Sequence, residues 1–329
     1  MSKKIKILII SIFLVFAVAI AIFYFIKPTK SGCLSDNSVT TYENDKDNTY
    51  IVVSDKKTGQ EINRFQIKNI ITDHYHGQEL HKCNFYVIRQ FNYDSKTRRK
   101  TPNYSAELWS YNYTQNGLSI LTFSKTDNNG NYLLFFNDDF RISPDEKYLA
   151  LEKGYAGQDD YSIVIKTLSD KKDAFIISAK ELSQKYPDIV GNFGLKEWTK
   201  DGRYFWGNIF DGADVLAFFR IEIGTWKWEV FEAPVGTMGG DVLNPELGYV
   251  TYDDGSPWTG FADLDQAYRE QWKKEGKIVH FYLYNLFTKE KTLLATYDDP
   301  TYFTKPKWLS DTQLQYEMPN GEKRIYEIK

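Results

Sequence analysis

Along this chain an apolar residue is repeatedly followed by Ser, Thr or Asn, a polar turn, and a Tyr six positions after the apolar one. The pattern reads Ile142-Ser143-Pro144-Asp145-Glu146-Lys147-Tyr148-Leu149-Ala150, then Trp198-Thr199-Lys200-Asp201-Gly202-Arg203-Tyr204-Phe205-Trp206, then Leu243-Asn244-Pro245-Glu246-Leu247-Gly248-Tyr249-Val250-Thr251. A fourth copy aligns at Leu309-Ser310-Asp311-Thr312, and a weaker fifth at Leu80 with Tyr86 in the Tyr slot. The anchors Leu80, Ile142, Trp198, Leu243 and Leu309 stand 62, 56, 45 and 66 residues apart. Recurrence at such spacing marks one supersecondary unit copied around a ring or along a stack. Between the copies lie short apolar runs bounded by turn residues, which read as antiparallel strands. They cover residues 161–165 with 174–177, 215–223 with 226–231, and 278–286 with 291–297. Each unit therefore predicts four strands: the motif supplies two across its polar turn, and a hairpin supplies two more.

The last copy has only three strands, closing on residues 323–328. Residues 50–54 and 61–65 flank Asp55-Lys56-Lys57-Thr58-Gly59, a hairpin turn signal. A strand from this hairpin is expected to complete the last unit, closing a ring and removing both sheet edges. The expected architecture is all-β, a closed β-propeller of about five four-stranded blades over residues 48–329, with six blades the alternative. Two helices interrupt it. Residues 263–275 place apolar side chains at helical spacing with Gly276 as a stop, and residues 180–186 form a shorter helix before Pro187.

The copies at Ile142 and Trp198 resemble the blade motif of TolB-type propellers, which also occurs in the propellers of prolyl-oligopeptidase-like enzymes. The other copies depart from the motif. The resemblance implies a propeller, often a recognition module, and implies that Asp145 and Asp201 serve turns. It implies no activity. The chain has no Gly-x-Ser-x-Gly elbow and no length for a hydrolase domain after the ring.

Residues 7–26 are uncharged, and fifteen of them are Ile, Leu, Val or Phe. That is long and apolar enough to cross a bilayer as a helix, and Tyr24 suits the far interface. Three lysines precede the segment, which places the N-terminus in the cytoplasm and the rest outside. Ala17-Val18-Ala19 fits a cleavage site, but cleavage there would leave an apolar stub, so an uncleaved anchor is expected. A lipoprotein site at Cys33 is disfavoured by Lys30 and the polar residues before it. Residues 1–30 are read as a stub and anchor, and the polar, acidic residues 31–47 as a tether. Five lysines and no acid precede residue 33, so the remainder carries 36 basic and 44 acidic side chains, a net of −8. No basic surface for nucleic acid is present. Cys33 and Cys83 are expected to remain unpaired thiols, with a bridge the alternative.

Candidate chemistry is sparse, and no cofactor is expected. His74, His76, His81 and Cys83 form the densest metal-type cluster, with His74 and His76 sharing one strand face. Asp127-Asn128-Asn129-Gly130-Asn131 lacks the ligand spacing of a calcium loop and reads as a turn. Asp73, Asp139, Glu197, Asp241 and Asp299 lie on or before the innermost strands. Of these, Asp139, Glu197 and Asp241 are the candidates if the protein is a glycan-active enzyme using axial carboxyls. The preferred reading is non-enzymatic: an extracytoplasmic module binding a protein or glycan. Its contact surface is placed at the loop carrying Asp253, Asp254 and Trp258 and at the helix carrying Tyr268 and Trp272, where aromatics stand beside polar groups.

Overall fold

The computed structural model describes residues 38–45, 48–55, 57–67, 74–80, 84–94, 99–112, 117–125, 140–153, 161–189, 191–212, 214–237, 243–254, 262–299, 302 and 304–328. Among these the strands form six sheets. Strands β1 (Ser38–Asp45), β2 (Asn48–Asp55) and β3 (Glu61–Ile67) make a three-stranded sheet. Strands β4 (His74–Leu80), β5 (Asn84–Asp94), β6 (Arg99–Asn112) and β7 (Gly117–Lys125) make one of four. The next is β8 (Phe140–Ile142), β9 (Tyr148–Lys153), β10 (Ser162–Thr167) and β11 (Asp173–Ser178). It is followed by β12 (Asn192–Trp198), β13 (Tyr204–Asp211), β14 (Asp214–Glu222) and β15 (Trp228–Glu232). Then come β16 (Leu243–Asn244), β17 (Tyr249–Asp253), β18 (Val279–Asn285) and β19 (Lys291–Tyr297). The last sheet is β20 (Lys307–Trp308), β21 (Gln313–Glu317) and β22 (Lys323–Glu327). Helix α1 (Ala179–Lys185) follows β11, and helix α2 (Ala262–Lys274) lies between β17 and β18. The described residues fall into two compact units. The smaller holds β1–β3 with short pieces of β5, β6 and β7, and the larger holds the rest.

The repeated motif is a turn locked by its own side chain. Ser143 Oγ accepts from the amides of Lys147 (3.1 Å) and Tyr148 (2.9 Å) and donates to Asp145 Oδ1 at 2.7 Å. Thr199 Oγ1 likewise accepts from the Tyr204 amide at 2.9 Å and donates to Asp201 Oδ1 at 2.7 Å. The amides of Ser143 and Thr199 each donate back to the carbonyl of the Tyr, at 2.9 Å. One turn residue sits in the left-handed region, Glu146 (φ 55°) in the first copy and Gly202 (φ 69°) in the second. Asn244 in the third copy accepts from Glu246 and Leu247, and Ser310 in the fourth from Thr312 and Gln313. The aspartates are structural, as the resemblance implied.

Strand register corrects one anchor. Ile142 pairs with Leu149, Trp198 with Phe205 and Leu243 with Val250, while the matching pair in the last sheet is Trp308 with Leu314. Leu309 is 46% exposed, whereas Ile142, Trp198 and Leu243 are buried. The last turn is one residue shorter, since the Leu309 amide donates to Gln313 O, so the anchor falls one place earlier.

A second repeated element was not evident from the sequence. The turns 55–60, 167–172, 222–227 and 285–290 share one hydrogen-bond pattern, in which the first and last residues pair and the fifth amide returns to the first carbonyl. The fifth residue is left-handed in all four: Gly59 (φ 68°), Lys171 (61°), Trp226 (57°) and Lys289 (61°). The last three turns join the third and fourth strands of their sheets. The β2–β3 hairpin has the same geometry.

Within the larger unit, alternate side chains of a strand serve different cores. On β10, Val164 packs with Tyr86, Leu108, Phe140, Ile142 and Leu149, while Ile163 and Ile165 pack with Phe193, Phe205 and Phe219 of the next sheet. Trp206 and Phe218 then meet Leu243, Val250 and Leu286, and Phe281 meets Tyr316 and Met318. Sheets buried on both faces read as near-continuous apolar runs, which is why 163–165 and 217–219 show little polar alternation. Polar tethers cross between sheets as well. Arg141 Nε donates to Lys196 O at 2.7 Å, Trp206 Nε1 to Pro245 O at 3.0 Å, and Asn244 Nδ2 to Asp311 O at 2.7 Å.

Two expectations fail. Residues 50–54 and 61–65 do form a hairpin, but it pairs with β1 rather than completing the last sheet, and β22 pairs only with β21 among the described residues. Residues 38–45, read as tether, are β1, paired with β2 along its whole length. Backbone pairing needs no apolar alternation, and this segment shows none. Residues 7–26 lie outside the described residues, among which no helix is long and apolar enough to cross a membrane. Helix α2 matches the expected insertion. Its end is fixed by Gly276 (φ 65°), with the Lys277 amide donating to Trp272 O and the Gly276 amide to Lys273 O.

Replacing Thr199 by Val removes the hydroxyl's hydrogen bonds to Asp201 and Tyr204 while keeping side-chain shape. Chemical denaturation is expected to show a loss of about 1–2 kcal/mol. Lys289→Gly relieves a left-handed side chain, for a gain of roughly 0.5–1 kcal/mol in the same measurement.

Candidate functional site

The polar and aromatic residues that converge lie where β17 and β18 meet. Register sets Tyr252 opposite Tyr282, and period two puts His280, Tyr282 and Tyr284 on one face of β18. The Tyr252 and Tyr282 rings stack, with centroids 5.1 Å apart and planes at 19°. Tyr284 meets Tyr252 edge-on at 6.2 Å, and the His280 ring lies 6.0 Å from Tyr282.

Asp254, one residue beyond β17, closes this end of the sheet. Its amide donates to His280 O at 3.2 Å, and its Oδ1 accepts from the His280 amide at 2.8 Å. The imidazole Nδ1 is 3.0 Å from Asp254 Oδ2, and Tyr282 Oη donates to the same oxygen at 3.4 Å. Held this way, the pair still reaches solvent: the Asp254 side chain is 40% exposed and that of His280 38%. Lys291 Nζ lies 5.0 Å from the centroid of the Tyr282 ring.

The neighbouring sheet supplies the facing side. Tyr284 packs against the cluster that holds Trp206, Phe231 and Ala233, next to Glu232 at the end of β15. The loop after β15 turns at Gly236 (φ 96°), where a Cβ would lie 2.3 Å from Asp253 O, so only glycine lets the loop sit this close to β17. Val235 at its tip is 95% exposed.

Burial pushes the Tyr252 phenol up to about 12, helped by neighbouring Tyr282 and Asp254. Tyr282 is raised by burial and then by Asp254, and Tyr284 by burial and then by Glu232. The hydroxyls therefore stay protonated as hydrogen-bond donors at any ordinary pH. The site offers stacked rings, phenol hydroxyls, one carboxylate and one imidazole, which suits grip and orientation of a ligand.

The expected site residues are partly assembled here. Asp253 is buried on β17 and Asp254 is central. Trp258 lies outside the described residues. Tyr268 and Trp272 are on α2, Tyr268 exposed and Trp272 half-buried with Lys277 Nζ 4.4 Å from its ring. No hydrogen bond or ring contact among the described residues joins either to Asp254. Asp73, Asp139, Asp241, His81, Cys33, Cys83 and residues 127–131 also lie outside the description. Glu197 is exposed on β12, and Asp299 pairs with Lys273 at 3.3 Å. His74 and His76 are two apart on β4. Among the described residues no group of three or more His, Cys, Asp or Glu could hold a metal ion. His280, Tyr282 and Tyr284 were missed, although their alternation is visible in the sequence; the helical insertion hides their register with Tyr252.

Solved structures similar to this chain share its fold at low identity. Oligogalacturonate lyase from Vibrio parahaemolyticus matches 90% of this chain and 77% of its own, at 12% identity and a TM-score of 0.51. The β-propeller domain of the Trilobed protease from Pyrococcus furiosus matches 91% of this chain and 82% of its own, at 10% identity and a TM-score of 0.47. The tricorn protease matches 89% of this chain at 10% identity and a TM-score of 0.44, and the chain spans 28% of its length. TolB and a prolyl endopeptidase are also among the matches. No family model matches the sequence, and no curated protein does. At these identities the likeness is one of fold alone, and among the described residues the sheets of this chain have three or four strands.

Tyr252 gives a pH test. Its phenol holds its proton more tightly when folded than the ordinary tyrosine value near 10, so the unfolded chain ionises first. Its contribution is fully present below about pH 10 and is lost as pH rises toward 12. Denaturation midpoints measured across that window should fall with pH, and Tyr252→Phe should flatten the fall.

Proposed function

We propose that the chain is a membrane-anchored, extracytoplasmic β-propeller that acts as a recognition module for a protein or glycan. The cleft formed by Tyr252, Tyr282, Tyr284, Asp254 and His280 is its contact site. The carrying observation is that the partly exposed Asp254 and His280 and the stacked Tyr252 and Tyr282 rings converge there, at the margin of an inter-sheet core. Aromatic anchors flanked by hydrogen-bonding groups are the usual chemistry of protein and sugar recognition. The uncharged run 7–26 behind three lysines supports the anchor and the orientation. The propeller neighbours support the scaffold and leave the activity open, since one fold hosts many functions.

In intact cells, added protease should digest the C-terminal region, and carbonate washing should leave the chain in the membrane. Screened on arrays of glycans and peptides, the full chain in detergent should bind a ligand that Tyr282→Ala and Asp254→Asn each weaken by about tenfold or more, with thermal melting little changed. Binding that survives both substitutions would remove the cleft from the function.

A further inference from the structure

Resting on that recognition reading, we infer that this site takes a basic protein segment, with a lysine or arginine side chain seated on the Tyr282 ring beside the Asp254 carboxylate. The first ground is a stand-in within the molecule. The ammonium of Lys291 already lies 5.0 Å from the Tyr282 ring centroid, so this ring face attracts a cation in the protein's own packing. Lys291 is on an outer strand, exposed, and opposite Tyr284 in register.

The second ground is charge complementarity. Asp254 lies at one end of the cleft and Glu232 beside Tyr284 at the other, and Lys291 is the facing lysine. The chain beyond residue 33 carries a net charge of −8, which steers basic partners in and acidic ones away. Asp254 already anchors two hydrogen bonds from His280 and one from Tyr282, so its carboxylate is held in place before a ligand arrives. A polyanionic glycan would meet carboxylates at both ends of the cleft.

The test is calorimetry on the full chain in non-ionic detergent, with three probes: an octapeptide alternating Lys and Ser, its Glu counterpart, and neutral cellohexaose. The lysine peptide should bind at one per chain, and the other two should not. Asp254→Asn should weaken it about tenfold, and binding should weaken as salt rises. Lys291→Gln removes the internal competitor and should tighten binding severalfold, an effect a purely structural lysine would not give. Cellohexaose binding that depends on Tyr282, without lysine-peptide binding, overturns the inference and keeps the recognition reading. Equal binding of the Glu peptide, or an unchanged Asp254→Asn variant, overturns the inference. Failure of all three probes to bind overturns both.

Discussion

A single hydroxyl or amide oxygen at the start of each repeat turn organises the sheets. Ser143 and Thr199 draw the chain back on itself and fix which residue of the second strand faces the anchor of the first. A slip of one residue there would turn every core side chain of the strand to the wrong face. The turns also meet one another. The Lys200 amide donates to Glu246, and Asn244 donates to Asp311 O, so the same short segment that sets register within a sheet positions the next sheet. A local hydrogen bond thereby governs packing between elements over 40 residues apart in sequence.

Packing follows from that register. The middle strand β10 is apolar on both faces and shared between two cores, as Val164 and its neighbours Ile163 and Ile165 show. The meeting of β17 and β18 around Tyr252 and Tyr282 is the place where this sharing stops. Tyr284 is still inside the inter-sheet core, Tyr282 is at its margin, and His280 is half in solvent. One face of one strand thus grades from core toward solvent over five residues, and Asp254 caps the open end.

Strand-turn-strand geometry was legible because it is local. The motif around Ile142 and Trp198 and the hairpins after 161 and 215 appear where their patterns place them. Failures came where identity and geometry part. Leu309 carried the right residue type one place from the true anchor, since the turn before Gln313 is shorter. Residues 38–45 pair through backbone alone and carry no apolar pattern. The shared turn of 55–60, 167–172, 222–227 and 285–290 has Gly, Lys, Trp and Lys at its left-handed position, so composition concealed it. At the site, Asp253 and Asp254 were readable as acids beside aromatics. Their partners on β18 were not, because the pairing spans α2.

That spanning has a kinetic side. Most neighbouring strands here are joined by a handful of residues, but β17 and β18 are joined through residues 254–278. Closing a connection roughly six times longer than a four-residue turn costs about 1.6 kcal/mol more in chain entropy. The two strands that carry the cleft therefore have the slowest local encounter in their sheet. The stacked Tyr252–Tyr282 pair is thus assembled across the longest strand connection of its sheet.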